Sequence, residues 1–201
     1  MELFGLTFAS GWASGINAYA TVLILGLLGR FGGLADVPTG FQRTDVLIVM
    51  GVLALLELVA DKIPYVDSAW DSISTFIRPV AGALIGGLTA GESGSIATIT
   101  LAGIGGVTAL LSHITKSGTR LAINTSPEPV SNVAHSVADD IGLVTVMGLV
   151  ALNPMVAAIV AAVLLVGGIA LFVHLFATVR KGWKSLKRWL SRSGPATDTP
   201  A

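Results

Sequence analysis

Residues 154–179 read PMVAAIVAAVLLVGGIALFVHLFATV, 26 positions with no formal charge unless His174 takes up a proton. As a helix the stretch covers roughly 39 Å at about 1.5 Å per residue, more than the ~30 Å hydrocarbon core of a bilayer. A membrane span therefore explains it better than a helix in a water-soluble core. RKGWKSLKRWLSR follows at once and holds six of the twelve basic residues: Arg180, Lys181, Lys184, Lys187, Arg188 and Arg192. A cationic flank of that size predicts that this end of the span faces the cytoplasm.

Composition agrees: 53% of the residues are hydrophobic, 12% are charged and mean hydropathy is +0.80. The 24 glycines suit helices that pack backbone to backbone in lipid. Net charge is zero, but residues 1–179 hold six Lys and Arg against eleven Asp and Glu. Such an acidic body makes nucleic acid a poor partner. The basic tail, residues 180–201, reads as an amphipathic cytoplasmic extension whose end is disordered, and its cations suit anionic lipid headgroups. With no cysteine there is no disulfide, thiolate metal site or acylated lipoprotein anchor. The opening MELFGLTFASG has an acid where a signal peptide carries basic residues, so it is expected to begin the first helix.

Working back from the last span, apolar runs at 137–152, 96–114, 80–90, 46–60 and 6–28 bring the expected number of crossings to about six, with both termini cytoplasmic. Outer connections are then 30–45, 91–95 and 152–154, and inner ones 61–79 and 115–133. Two basic residues, Arg30 and Arg43, fall outside and ten inside, as the positive-inside rule requires. The run 80–90 spans only half a bilayer, and SGWASGIN interrupts the first helix. Short or broken segments persist in lipid only where protein or water satisfies their backbone, and paired broken helices form mid-membrane sites in many transporters. Val49–Leu55 and Val146–Leu152 share five of seven residues, and Ser14-Gly15 echoes Ser93-Gly94. The order of these echoes suggests an inverted 3+3 repeat, although chains rich in Gly, Ala, Val and Leu also match themselves by chance.

Several polar residues sit where lipid would exclude them. Ser10, Ser14, Asn17 and Thr21 form one stripe on the first helix beside a Gly11/Gly15 step, read either as ordinary small-residue packing or as a polar path. Glu57 and Asp61 lie one turn apart, with Lys62 next. YVDSAWDSISTFIRP then reads as a helix in or re-entering from the inner interface, with Ser68 and Asp71 at capping-box spacing. On it Trp70, Ile73 and Ile77 form an apolar stripe, with Asp67, Asp71 and Arg78 off the stripe. Ser126-Pro127-Glu128 reads as a helix start, after which Asn132, His135, Ser136, Asp139 and Asp140 fall on the inner third of a span. Lys116 and Arg120 come from the preceding stretch. Acids and bases from different helices can thus meet near the cytoplasmic face, either as an ion-pair lock or as a site for an ion or proton.

These residues support three readings. In the first, a transporter or channel moves a small solute or ion along Ser14, Asn17, Glu57, Asp61, Lys62, Arg78, Lys116, Arg120, Asn132, Asp139 and Asp140, with no catalytic residue and no cofactor. In the second, a metal-dependent enzyme acts on lipid headgroups or diphosphates, with Asp67, Asp71 and Asp139 holding Mg²⁺. The third is a non-catalytic scaffold. No Walker loop or Gly-x-Ser-x-Gly occurs, and His113, His135 and His174 lack zinc spacing. The sequon at 124–126 has no meaning on the cytoplasmic side.

SGINAY, LELVADKIPYVDSAWD, IRPVAGA, KSGTR and NTSPEPVSN together resemble a bacterial integral-membrane family, domain of unknown function 4126, over roughly residues 4–178. The resemblance implies a multi-pass protein of a bacterial inner membrane and highlights Asn17, Asp61, Lys62, Asp67, Asp71, Arg78, Lys116, Arg120 and Asn132. It implies no activity. The expected whole is an all-α polytopic bundle at 1–179 that self-associates as a homo-oligomer, because six short helices bury little surface alone.

Overall fold

The computed structural model describes residues 1–63, 65–91, 93–125 and 129–192, and all regular structure within them is helical. The helices are α1 (Glu2–Ile16), α2 (Ala18–Phe31), α3 (Thr44–Ala60), α4 (Val66–Thr89), α5 (Ser95–Ile123), α6 (Pro129–Leu152) and α7 (Pro154–Arg192), with a short 3-10 turn at Thr39–Gln42. Three of them, α5, α6 and α7, are long and apolar enough to cross a membrane by length and composition.

The distribution of side chains is the reverse of a water-soluble protein's. Phe76, Ile96 and Leu152 are 78%, 83% and 82% exposed, whereas Glu57, Asp67, Arg78, Lys116 and Arg120 are buried. Exposed apolar surface of this extent, wrapped around a charged interior, is stable only with lipid as the solvent. The fold is that of a helical membrane protein.

α1, α4 and α5 form the centre and touch through glycine. A Cβ added to Gly11 would meet the Gly105 carbonyl at 2.7 Å, and one on Gly82 would meet it at 2.5 Å. The Gly11/Gly15 step therefore packs α1 on α5. At the opposite end from the charges, Leu6 and Ala9 of α1 pack with Leu143, Val146, Met147 and Val150 of α6 and Ala157 and Ala161 of α7. α3 stands apart on α2, with only Glu57 and Ala60 buried.

Two segments differ from their sequence reading. The stretch expected to lie as an interfacial helix before a half-crossing is instead the first half of α4, a continuous 24-residue helix with Pro79 inside it. Its apolar stripe faces outward, Ile73 being 61% exposed, while Asp67, Asp71 and Arg78 face inward. The helix can run on because its charges meet partners on other helices and need no water. Ser68 does not cap it: α4 starts at Val66, after Tyr65 at φ 72, and Asp67 Oδ1 accepts the Ser68 N–H at 2.6 Å. Likewise α5 continues to Ile123, so the inner connection expected at 115–133 is largely helix. The helix start at Ser126-Pro127-Glu128 lies outside the described residues.

The echoed segments also sit differently. Val146 and Val150 are fully buried, but Val49 and Val52 are 51% and 54% exposed. Ser14-Gly15 lies in the last turn of α1, whereas Gly94 precedes α5 with φ 94.

Candidate functional site

The chain breaks between α1 and α2 at Asn17. Its extended backbone (φ −152, ψ 105) ends α1, and its side-chain Oδ1 starts α2 by accepting the Ala20 N–H at 2.8 Å. A helix end strands its last carbonyls and carries a partial negative charge. Inside a bundle those carbonyls require donors, and two side chains supply them: Arg78 Nη1 donates to the Gly15 carbonyl at 3.2 Å and Lys116 Nζ to that of Ile16 at 2.8 Å. Ser112 Oγ adds a bond to the Trp12 carbonyl, one turn earlier, at 2.8 Å. Asn17 itself is only 5% exposed, so it terminates and caps helices in the interior of the bundle.

The two cations lead into a network. Arg78 Nη2 donates to Glu57 Oε1 at 2.5 Å and faces Asp71 Oδ1 at 3.3 Å. Its Nη1 also meets His113 Nδ1 at 2.6 Å. Arginine cannot accept, so Nδ1 must, and the His113 proton then sits on Nε2, facing Thr75 Oγ1 at 2.9 Å. Thr75 passes its own proton to the Asp71 carbonyl at 2.9 Å. His113 is thereby fixed as a neutral imidazole.

Asp61, one turn after Glu57, takes Lys116 Nζ at 2.6 Å and Arg120 Nη1 at 2.9 Å on separate oxygens. Arg120 reaches further, to Asp71 at 3.5 Å and Asp67 at 3.7 Å. Asn124 Nδ2 donates to Asp67 Oδ2 at 3.1 Å. At these burials Coulomb attraction is large, but so is the cost of leaving water, and the hydrogen bonds decide the balance.

α6 closes the site with two faces. Lys62 Nζ donates to Asp140 Oδ2 at 3.0 Å and lies 3.4 Å from Ser136 Oγ, and this pair is about one-third exposed. On the other face His135 and Asp139 approach to 3.2 Å. These two line a cavity of about 210 Å³ between α1, α5, α6 and α7, together with Trp12, Ser112, Lys116, Thr119 and Leu165. Asn132 is 1% exposed, and neither atom of its amide has a partner among the described residues.

The structure thus gathers Ser14, Glu57, Asp61, Arg78, Lys116 and Arg120 into one network, with Lys62–Asp140 and Asp139 on its α6 side, whereas Asn17 bonds only within α1 and α2 beside it. Asp67 and Asp71, considered as metal ligands, face arginines, whereas Asp139 pairs on α6. Among the described residues no three His, Asp or Glu side chains are grouped to hold a metal ion. Sequence reasoning missed Ser112, His113, Thr75 and Asn124 as parts of the network. The spacing of 113, 116, 120 and 124 traces one helical stripe and could have found two of them.

These features define a class: a helical membrane protein with an ionic interior built around a broken helix. Residues 4–174 match the family model described as domain of unknown function (DUF4126), and the chain belongs to that family. None of the curated proteins and none of the solved structures matches it.

Proposed function

We propose that the protein is a transporter or channel for a small solute or ion in a bacterial inner membrane. α1 with α2, then α3, α4, α5, α6 and α7, make six crossings with both termini cytoplasmic. The six tail cations support the orientation. Homo-oligomerisation is supported by the small bundle each copy forms. Arg180, Lys181 and Lys184, which border a groove with Phe172 and Phe176 on α7, support contact with anionic headgroups and their acyl chains.

The observation that carries this reading is the position of the cavity. It lies against both the carbonyl end of α1 and Lys116, the partner of Asp61, and its wall holds the partly exposed His135–Asp139 pair. A solute seated there touches a helix end and an ion pair whose rearrangement would open a path, so the Glu57, Asp61, Arg78, Lys116 and Arg120 cluster serves as the inner gate.

The test is a thermal-stability screen of the detergent-purified protein against cations, halides, phosphates and lipid diphosphates. A ligand at 100 times its Kd stabilises the native state by about 2.7 kcal/mol. A specific hit lost in Asp139→Asn but kept in Asp45→Asn supports the transport site. Stabilisation by Mg²⁺ that is lost in Asp71→Ala would instead favour a metal enzyme acting on lipid headgroups, and a flat screen would favour a scaffold.

A further inference from the structure

The buried network does not balance. Glu57, Asp61, Asp67 and Asp71 supply four negative charges, and Arg78, Lys116 and Arg120 supply three positive ones, all at 6% exposure or less. His113 contributes nothing, because it accepts from Arg78. The neighbouring Lys62–Asp140 pair is neutral in itself. One uncompensated negative charge inside a lipid-embedded bundle is costly, and such sites neutralise instead.

The geometry points to Glu57 as the group that holds a proton. Each aspartate has a cation or a hydrogen-bond donor within 3.7 Å of both of its oxygens. Asp61 takes Lys116 on one and Arg120 on the other. Asp67 takes the Ser68 N–H on one, with Asn124 and Arg120 on the other. Asp71 hydrogen-bonds Arg120 through Oδ2 at 3.5 Å, and its Oδ1, which makes no hydrogen bond among the described residues, still lies 3.3 Å from the Arg78 guanidinium. Glu57 is fully buried and is held only through Oε1, while among the described residues its Oε2 has neither a hydrogen-bond donor nor a cation at ion-pair distance. With a proton on Oε2, Oε1 still accepts from Arg78, and three carboxylates remain for three cations. An unpaired buried hydroxyl costs far less than an unpaired charge.

Every element around Glu57 agrees with that balance. α1 presents the Ser14 hydroxyl and the carbonyls of Gly15 and Ile16, all occupied as donor or acceptors by Arg78 and Lys116. α2 places the Tyr19 phenol within its electrostatic reach. α3 adds Asp61, α4 adds Arg78 and Asp71, and α5 adds Lys116, Arg120 and the neutral His113. A monovalent cation would need several oxygens beside Oε2, whereas a proton needs one. Coupling this proton to solute movement rests on the transport reading; holding it does not.

The experiment is infrared spectroscopy of the full-length protein in phosphatidylcholine–phosphatidylglycerol vesicles, with glutamate carrying a ¹³C side-chain carboxyl. The chain has four glutamates, Glu2, Glu57, Glu92 and Glu128. At neutral pH one carboxylic-acid C=O band is expected that shifts with the label and in D₂O. It persists when Glu2, Glu92 and Glu128 are all changed to Gln and vanishes in Glu57→Gln. Should Glu57→Gln not fold, the label and the triple variant still decide. No label-sensitive acid band, a band lost in the triple variant, or thermal stability rising with Na⁺ without such a band would each overturn the proposal. A proton on Glu57 in a protein that shows no ligand in the thermal screen would leave the inference standing and count against transport alone.

Discussion

The two ends of the α1, α5, α6 and α7 bundle solve the same packing problem with opposite chemistry. At one end Leu6, Leu143, Val146, Met147 and Val150 interlock with no buried charge among them. At the other, Arg78, Lys116 and Arg120 hold four carboxylates and the carbonyl end of α1. Lipid gives buried apolar residues little advantage over exposed ones, so the first end is stabilised mainly by fit. Its energy is spread over many small contacts, and no single side chain there is decisive. The ionic end is the reverse: each group depends on a few partners, and losing one leaves others stranded. The apolar end holds the bundle by fit, and the ionic end holds it by a few strong, interdependent bonds.

That contrast can be broken by experiment. Arg78→Met strands Glu57, Asp71 and the Gly15 carbonyl, and should cost about 3–5 kcal/mol in detergent unfolding. Adding Glu57→Gln should recover part of the loss; full additivity would show that the two do not act as one unit. At the glycine seam, Gly105→Ala forces a Cβ into the Gly82 carbonyl and should cost about 1–3 kcal/mol. A loss as large as that of Arg78→Met would erase the distinction between the two ends. Lys62→Met removes a pair about one-third exposed and should change stability by no more than about 1 kcal/mol.

The smallest effect belongs to the exposed lip at the start of α3. Arg43 beside Asp45, through a hydrogen bond to the carboxylate, lowers the Asp45 pKa from 3.8 to about 2. A depressed folded pKa stabilises above the unfolded value, so this contribution is present above pH 4 and is lost between about pH 4 and 2. Both side chains lie in water, so Asp45→Asn should leave the neutral-pH Tm unchanged. A clear drop would mean that the lip is packed against something in the assembly.

How much was legible from sequence follows the same divide. α7 declares itself because a long run without charge has one stable home. α4 did not, because Asp67, Asp71 and Arg78 look like the residues of a water-facing helix until their partners are known. Those partners are far along the chain: Arg78 meets Glu57 21 residues away, and Lys116 meets Asp61 55 residues away. Periodicity places residues on one face but cannot say which distant face answers it. The break at Asn17 was visible in SGWASGIN. Its capping of α2 was not, because that depends on the extended backbone at Asn17, and the cations that close α1 come from α4 and α5.

α7 has one mechanical consequence. It runs 39 residues without a break, so its last 13 residues, beyond Val179, form a rod about 20 Å long that is continuous with the helix lining the cavity. A tilt of about 10° in the membrane would swing the far tip by roughly 3–4 Å over that reach. Whatever grips the basic rod therefore has a lever on the cavity wall, and a shift in that wall is displayed at the rod's far tip as a sweep of positive charge.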